Sequence, residues 1–292
     1  MRVLSDANPI AAFLWLIMTA GIAMFCFNPI LLGIALLGSI AYFFVRNSES
    51  SLRSQLPFWG LFAVSALLNP LFVHNGASVL LVINHNPITL EAFYYGLVLG
   101  AMILAVLYWF RSFQQIMTSD KLLYVFGSVL PKLSLILSIA LRYIPLLGEQ
   151  TRRIRDAQKA LGLFNGENLI DRLRGELRIF SVLVTWALEN GIITADSMTA
   201  RGYGISRRTH FALYRFRRGD AALCAACLML GGCVIAGIAT GALACCFYPR
   251  FVLAENSPLA ISAYAAYAAL AFFPSLLEVE ERIRWKSLKS RI

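Results

Sequence analysis

The sequence predicts an all-α integral membrane protein with about six transmembrane helices and further long amphipathic helices lying along the membrane plane. Three observations carry this. Hydrophobic residues make up 59% of the 292, charged residues 14%, and mean hydropathy is +0.68; a soluble domain carries about a quarter charged residues. Several apolar runs approach the ~20 residues that cross a bilayer as a helix. The basic residues behind a net charge of +10 crowd into the middle of the chain, which orients a membrane protein rather than recruiting nucleic acid.

In order, the expected spans are Pro9 to Phe27, Ile30 to Val45, Leu56 to Val73, Ile88 to Phe110, Ala221 to Phe247 and Leu259 to Phe273. Asn28-Pro29 turns the chain between the first two, because a residue before proline avoids the helical region. A second apolar run at once after that turn argues against a cleaved leader behind Arg2. Gly96 and Gly100 have the spacing that lets two helices approach closely. The chain divides into N-terminal transmembrane helices (1–110), a cytoplasmic or interfacial domain (111–220), and C-terminal transmembrane helices with a basic tail (221–292).

The positive-inside rule puts Arg2, the Arg46 to Arg53 loop, the basic middle and the tail on the cytoplasmic side. Both termini are then cytoplasmic, in a multi-pass membrane protein. Leu133 to Leu147 is apolar but flanked by basic residues and interrupted by Arg142 and Pro145. One crossing there would invert everything downstream. Leu122 to Leu147 is therefore expected to lie in the interface, or to dip in and return.

From Leu147, Ile154 and Leu161 recur on one face, and Gly162 and Gly166 end that helix. After Asn168, residues Leu169, Leu173, Leu177, Phe180 and Val184 step by three or four, one helical stripe. Two basic amphipathic helices of this kind lie along a surface. They fit a hairpin resting on the chain's own spans and a platform for partners about equally. Each is followed by a small-residue tip: Lys159, Ala160, Leu161 and Gly162 in one case, Ala200, Arg201 and Gly202 in the other. Around the second, Thr194 to Gly204 reads as a short helix capped by Asp196 or Ser197 and closed by Gly202 and Gly204.

Little here suggests catalysis. No Gly-Lys dipeptide exists, so there is no P-loop. His74, His85 and His210 lack ligand spacing on one helix face, and no metal or other cofactor is implied. The six cysteines lie in or beside apolar runs and read as inert packing residues, Cys224 and Cys227 included.

Four runs occur in an order known from one family: Asn69-Pro70-Leu71-Phe72-Val73-His74, Leu141-Arg142-Tyr143-Ile144-Pro145-Leu146, Arg153-Ile154-Arg155-Asp156-Ala157-Gln158-Lys159, and Ser197-Met198-Thr199-Ala200-Arg201-Gly202-Tyr203. The chain resembles the transmembrane T component of energy-coupling factor transporters, ATP-driven importers of vitamins and transition-metal ions. The resemblance implies a non-catalytic scaffold whose partners are two cytoplasmic ABC ATPase subunits and a small substrate-binding membrane subunit. Coupling helices, here bearing Ile154, Leu169, Leu173, Leu177, Phe180 and Val184, would transmit ATPase closure. Tips at Ala160-Leu161-Gly162 and Ala200-Arg201-Gly202 would dock the ATPases. The first tip departs from the pattern, with Leu161 where the family has arginine. The competing classes are a stand-alone channel or secondary carrier, and a lipid-modifying membrane enzyme. The carrier needs mid-membrane ionisable residues and interrupted, repeated spans; the enzyme needs clustered acidic or histidine residues.

Overall fold

The computed structural model describes residues 4, 7–47, 52–73, 76–83, 86–162, 169–205, 214–248, 251–253 and 257–289. Its elements are α1 (Pro9–Phe25), α2 (Pro29–Arg46), α3 (Leu56–Phe72), β1 (Val79–Ile83), β2 (Asn86–Thr89), α4 (Leu90–Ile116), α5 (Ser119–Val129), α6 (Pro131–Ala160), α7 (Leu169–Ala200), α8 (Arg218–Ala239), β3 (Cys245–Cys246), β4 (Val252–Leu253) and α9 (Pro258–Lys289). The chain forms two compact units: Met1–Leu122 with Tyr214–Ile292, and Leu123–Leu213.

In the first unit α2 packs on α4 and α9, α1 on α4 and α8, α8 on α9, and α3 on α4. Proline at N1 behind asparagine starts both α1 and α2. Asn8 and Asn28 each accept, through the side-chain oxygen, the backbone N–H two residues on, at 3.0 Å. Asn28 is buried and fully used: its Nδ2 donates to the Leu243 carbonyl (3.1 Å) and the Tyr264 hydroxyl (2.8 Å). The indole of Trp15 donates to the Leu270 carbonyl (3.1 Å), and the Tyr267 hydroxyl to the Thr19 carbonyl (3.0 Å). Gly96 and Gly100 lie where α3 meets α4. A Cβ at Gly96 would sit 2.8 Å from the Ala66 carbonyl oxygen. Asn69, in α3, ties the start of α4 by donating to the Ala92 carbonyl at 2.7 Å.

Five expectations need correction. α6 runs without a break through Arg142 and Pro145, so these residues do not interrupt the apolar run from Leu133 to Leu147. Proline inside a helix removes one backbone bond and here interrupts nothing further; the break falls earlier, at Leu130-Pro131, where proline takes the N1 position. Asp196 and Ser197 cap nothing, because α7 is continuous to Ala200. The span expected over Ala221 to Phe247 stops at Ala239, where Gly241 takes a left-handed conformation (φ 73°) and β3 and β4 follow as a short hairpin. Within the loop expected over His74 to Pro87, β1 and β2 form an antiparallel hairpin. α9 continues through Glu278 to Lys289, so the described part of the tail is helical.

Six described helices are long and apolar enough to cross a membrane: α2, α4, α6, α7, α8 and α9. The expected six included α1 and α3, which are apolar but 17 residues long, in place of α6 and α7. The all-α membrane fold stands. The six cysteines are free thiols. His74, His85, Gly166, Asn168 and His210 lie outside the described residues.

Candidate functional site

The second unit is organised by α6 and α7. Two side-chain contacts fix their relation. The hydroxyls of Tyr143 and Thr194 meet at 3.3 Å, and the Arg155 guanidinium donates to both oxygens of Glu176, at 3.1 and 2.9 Å. As α6 advances from 143 to 155, α7 retreats from 194 to 176, so the helices are antiparallel. Tyr143 belongs to the Leu141 to Leu146 run singled out in the sequence, which gives that run a physical task at the crossing.

The side of α7 toward α6 carries buried Gly175 and Ile179, then half-buried Leu183, Trp186, Asn190 and Thr194. The sequence-derived stripe is a different face. Leu169, Leu173, Leu177, Phe180 and Val184 are exposed, from 39% at Val184 to 77% at Leu169. At ~100° per residue they lie about a third of a turn round α7. On α6, Ile154 is half-buried. The five stripe residues of α7 thus share one face, exposed among the described residues.

The two tips share two backbone bonds and a left-handed glycine. At the end of α7 the Arg201 N–H donates to the Ser197 carbonyl (3.2 Å), Gly202 to Thr199 (2.9 Å) and Tyr203 to Met198 (3.0 Å). These last two bonds form the double cap that ends many helices, and it needs a left-handed residue at Gly202, where φ is 80°. At the end of α6 the Leu161 N–H donates to Ala157 (3.1 Å) and Gly162 to Lys159 (3.0 Å), with Gly162 at φ 70°. Leu161 and Arg201 therefore hold the same station on their helices, one residue before the turn. Lys159, Ala160, Leu161 and Gly162 are exposed, as are Ala200 and Arg201. Neither tip side chain has an acidic partner among the described residues; Arg155, Arg153 and Arg174 do, in Glu176, Glu149 and Asp171.

Because the pair is antiparallel, the tips stand at its opposite ends. α7 has 32 residues, and at ~1.5 Å per residue that sets their separation at roughly 40–50 Å. The structure thus brings the residues of each tip together but keeps the tips apart. The likeness of the tips extends one turn back: Asp156, Ala160 and Gly162 match Asp196, Ala200 and Gly202 in register.

The family described as cobalt transport protein, CbiQ, matches residues 1–211. Among individual relatives, an energy-coupling factor transporter transmembrane protein, EcfT 1, of Listeria monocytogenes is 39% identical over 100 residues, 34% of this chain and 37% of the relative. The protein named EcfT from Listeria innocua is 37% identical over 109 residues, 37% of this chain and 39% of its own. That of Lacticaseibacillus paracasei is 33% identical over 106 residues, 36% and 40% of the two chains. The matched stretch spans about two-fifths of each relative's length. With the family matched over most of its residues, and relatives of this kind beside it, the chain belongs to the CbiQ family of transporter transmembrane proteins.

Proposed function

We propose that the protein is the energy-coupling scaffold of an energy-coupling factor importer. Two cytoplasmic ABC ATPase subunits dock at the Ala160-Leu161-Gly162 and Ala200-Arg201-Gly202 tips. A small substrate-binding membrane subunit lies against the exposed stripe of Leu169, Leu173, Leu177, Phe180 and Val184. ATPase closure draws the tips together, α6 and α7 pivot where they cross, and the substrate-binding subunit reorients to release a vitamin or transition-metal ion inside the cell.

One observation carries this reading most: two antiparallel helices end in equivalent glycine caps that hold exposed side chains roughly 40–50 Å apart. Two separate subunits can grip such a lever. The arrangement also bears on topology. Were the pair to stand across the bilayer, its tips would emerge on opposite sides, and both could not meet cytoplasmic subunits. α6 and α7 therefore lie along the cytoplasmic face, the side that the positive-inside rule selects for this arginine-rich stretch. The chain itself hydrolyses no ATP.

Purification of the tagged protein with the products of its neighbouring genes tests the proposal. Recovery of ATPase subunits and a small hydrophobic protein supports it. A lone protein with transport activity of its own removes it. Labelling of a single cysteine at position 201 from outside the intact cell would remove it equally.

A further inference from the structure

Nine buried side-chain nitrogen or oxygen atoms find no hydrogen-bond partner among the described residues, and six of them lie on three packed helices of the first unit. They are Tyr42 OH and Arg46 Nη1 on α2, Trp109 Nε1 and the Ser112 hydroxyl on α4, and the Ser275 hydroxyl and Glu278 Oε2 on α9. On each helix the two residues are three or four apart and so share a face. The Tyr42 and Trp109 rings stack at 6.1 Å. Arg46 Nη1 and Glu278 Oε2 stand 3.7 Å apart, too far for a direct charge-assisted bond. The Tyr42 hydroxyl faces both groups and bonds to neither. Tyr42, Trp109 and Ser112 are at most 1% exposed, so bulk solvent does not answer them.

The same bundle shows how such groups are otherwise settled. The buried Tyr267 hydroxyl and Trp15 indole donate directly to carbonyls. Ser39, Ser65 and Ser262 bond back to carbonyls of their own helices; Ser112 and Ser275 do not. Polar groups buried without partners are costly, most of all in an apolar span. We propose that these six atoms form a binding site for buried water at the joint of α2, α4 and α9. The donor set suits water rather than an ion. One guanidinium and one carboxylate flank the site, so its formal charge is zero, and the hydroxyls both donate and accept. A water can bond to Arg46 Nη1 and Glu278 Oε2 at about 2.8 Å each across their gap. At roughly three bonds per buried water, about two molecules answer all six atoms. The α2–α9 contact then differs at its two ends. Near the start of α2, Asn28 donates directly to Tyr264; near its end, the helices meet through water.

X-ray radiolytic footprinting of the full chain in lipid nanodiscs tests the proposal. Hydroxyl radicals made by the beam oxidise a buried ring only where a water is lodged beside it. Tyr42 and Trp109 are expected to be oxidised at least tenfold faster than Tyr267 and Trp15, which are equally buried but bonded to carbonyls. Equal rates in the two pairs overturn the proposal. The sign of a stability change gives a second reading. Tyr42→Phe keeps the ring and removes the hydroxyl. In a dry joint that deletes an unpaired polar atom and raises the melting temperature; in a hydrated one it strands a water and lowers it. A lowered melting temperature is expected, and a raised or unchanged one overturns the assignment of Tyr42 to the site.

Discussion

Replacing Gly202 with alanine probes the second tip through its backbone alone. Gly202 has φ 80°, and the nearest atom to an added Cβ is Ile205 Cδ1 at 3.7 Å, so the methyl group meets no obstacle. The cost is purely conformational: a left-handed alanine lies about 1–2 kcal/mol above its right-handed form. That cost falls on the two bonds closing the cap, from Gly202 to Thr199 and from Tyr203 to Met198. Converted at 1.4 kcal/mol per tenfold, it predicts roughly 5–30-fold faster exchange of those amides. Gly191→Ala on the same helix is the control. Nothing lies within 4 Å of its Cβ, and its backbone is helical, so that change strengthens α7 by about 0.5–1 kcal/mol. Hydrogen–deuterium exchange resolved to the peptide over residues 198–205 reads both variants. Retention of the ATPases on the tagged protein is measured alongside, and is expected to fall with Gly202→Ala but not with Gly191→Ala. Equal protection of residues 198–205 in the two variants would show that the left-handed cap does not set the tip.

Three further outcomes follow. Arg201→Ala is expected to weaken ATPase retention by roughly 10–100-fold, the worth of a charge-assisted hydrogen bond of about 1.5–3 kcal/mol. Leu161→Ala is expected to cost less, and only the arginine contribution fades when salt is raised; co-purification at two salt concentrations checks both. Gly96→Ala forces a methyl group against the Ala66 carbonyl oxygen and is expected to destabilise the α3–α4 contact by about 1–3 kcal/mol, while Gly33→Ala, with nothing within 4 Å, leaves detergent thermal stability unchanged or raised. Asn28→Ala removes an N-cap worth about 0.5–2 kcal/mol and strands the buried Leu243 carbonyl; it is expected to lower the same melting temperature, and Asn28→Asp, which keeps the cap oxygen but sets a buried carboxylate against that carbonyl, is expected to lower it as well.

The membrane helices were legible because apolar runs and punctuation agree. Asn28-Pro29 forces a turn, and Gly96 and Gly100 mark a close approach that the structure contains. Reading failed where one signal had two meanings. Pro145 reads as a breaker, yet α6 supports it at the loss of one bond. Asp196 and Ser197 are good caps by type, but a cap needs a non-helical residue, and α7 is already wound through them; the Thr199 hydroxyl even bonds back to the Asp196 carbonyl at 2.8 Å. The hairpin of β1 and β2 was hidden because Val79 to Ile83 is apolar throughout and shows no alternation. At the tips, glycine announced both helix ends. The equivalence of Leu161 with Arg201 was readable from the matching Ala-x-Gly frames, and the cap bonds give it a physical basis.

The helices made first are completed by those made last. The Trp15 indole finds its carbonyl 255 residues downstream, and the Asn28 amide 215. At ~5–20 residues per second of translation, the opening hairpin waits roughly 10–50 s in the lipid with those polar groups unanswered. A nascent chain arrested before α8 emerges should therefore be an attractive client for insertion machinery and for membrane proteases.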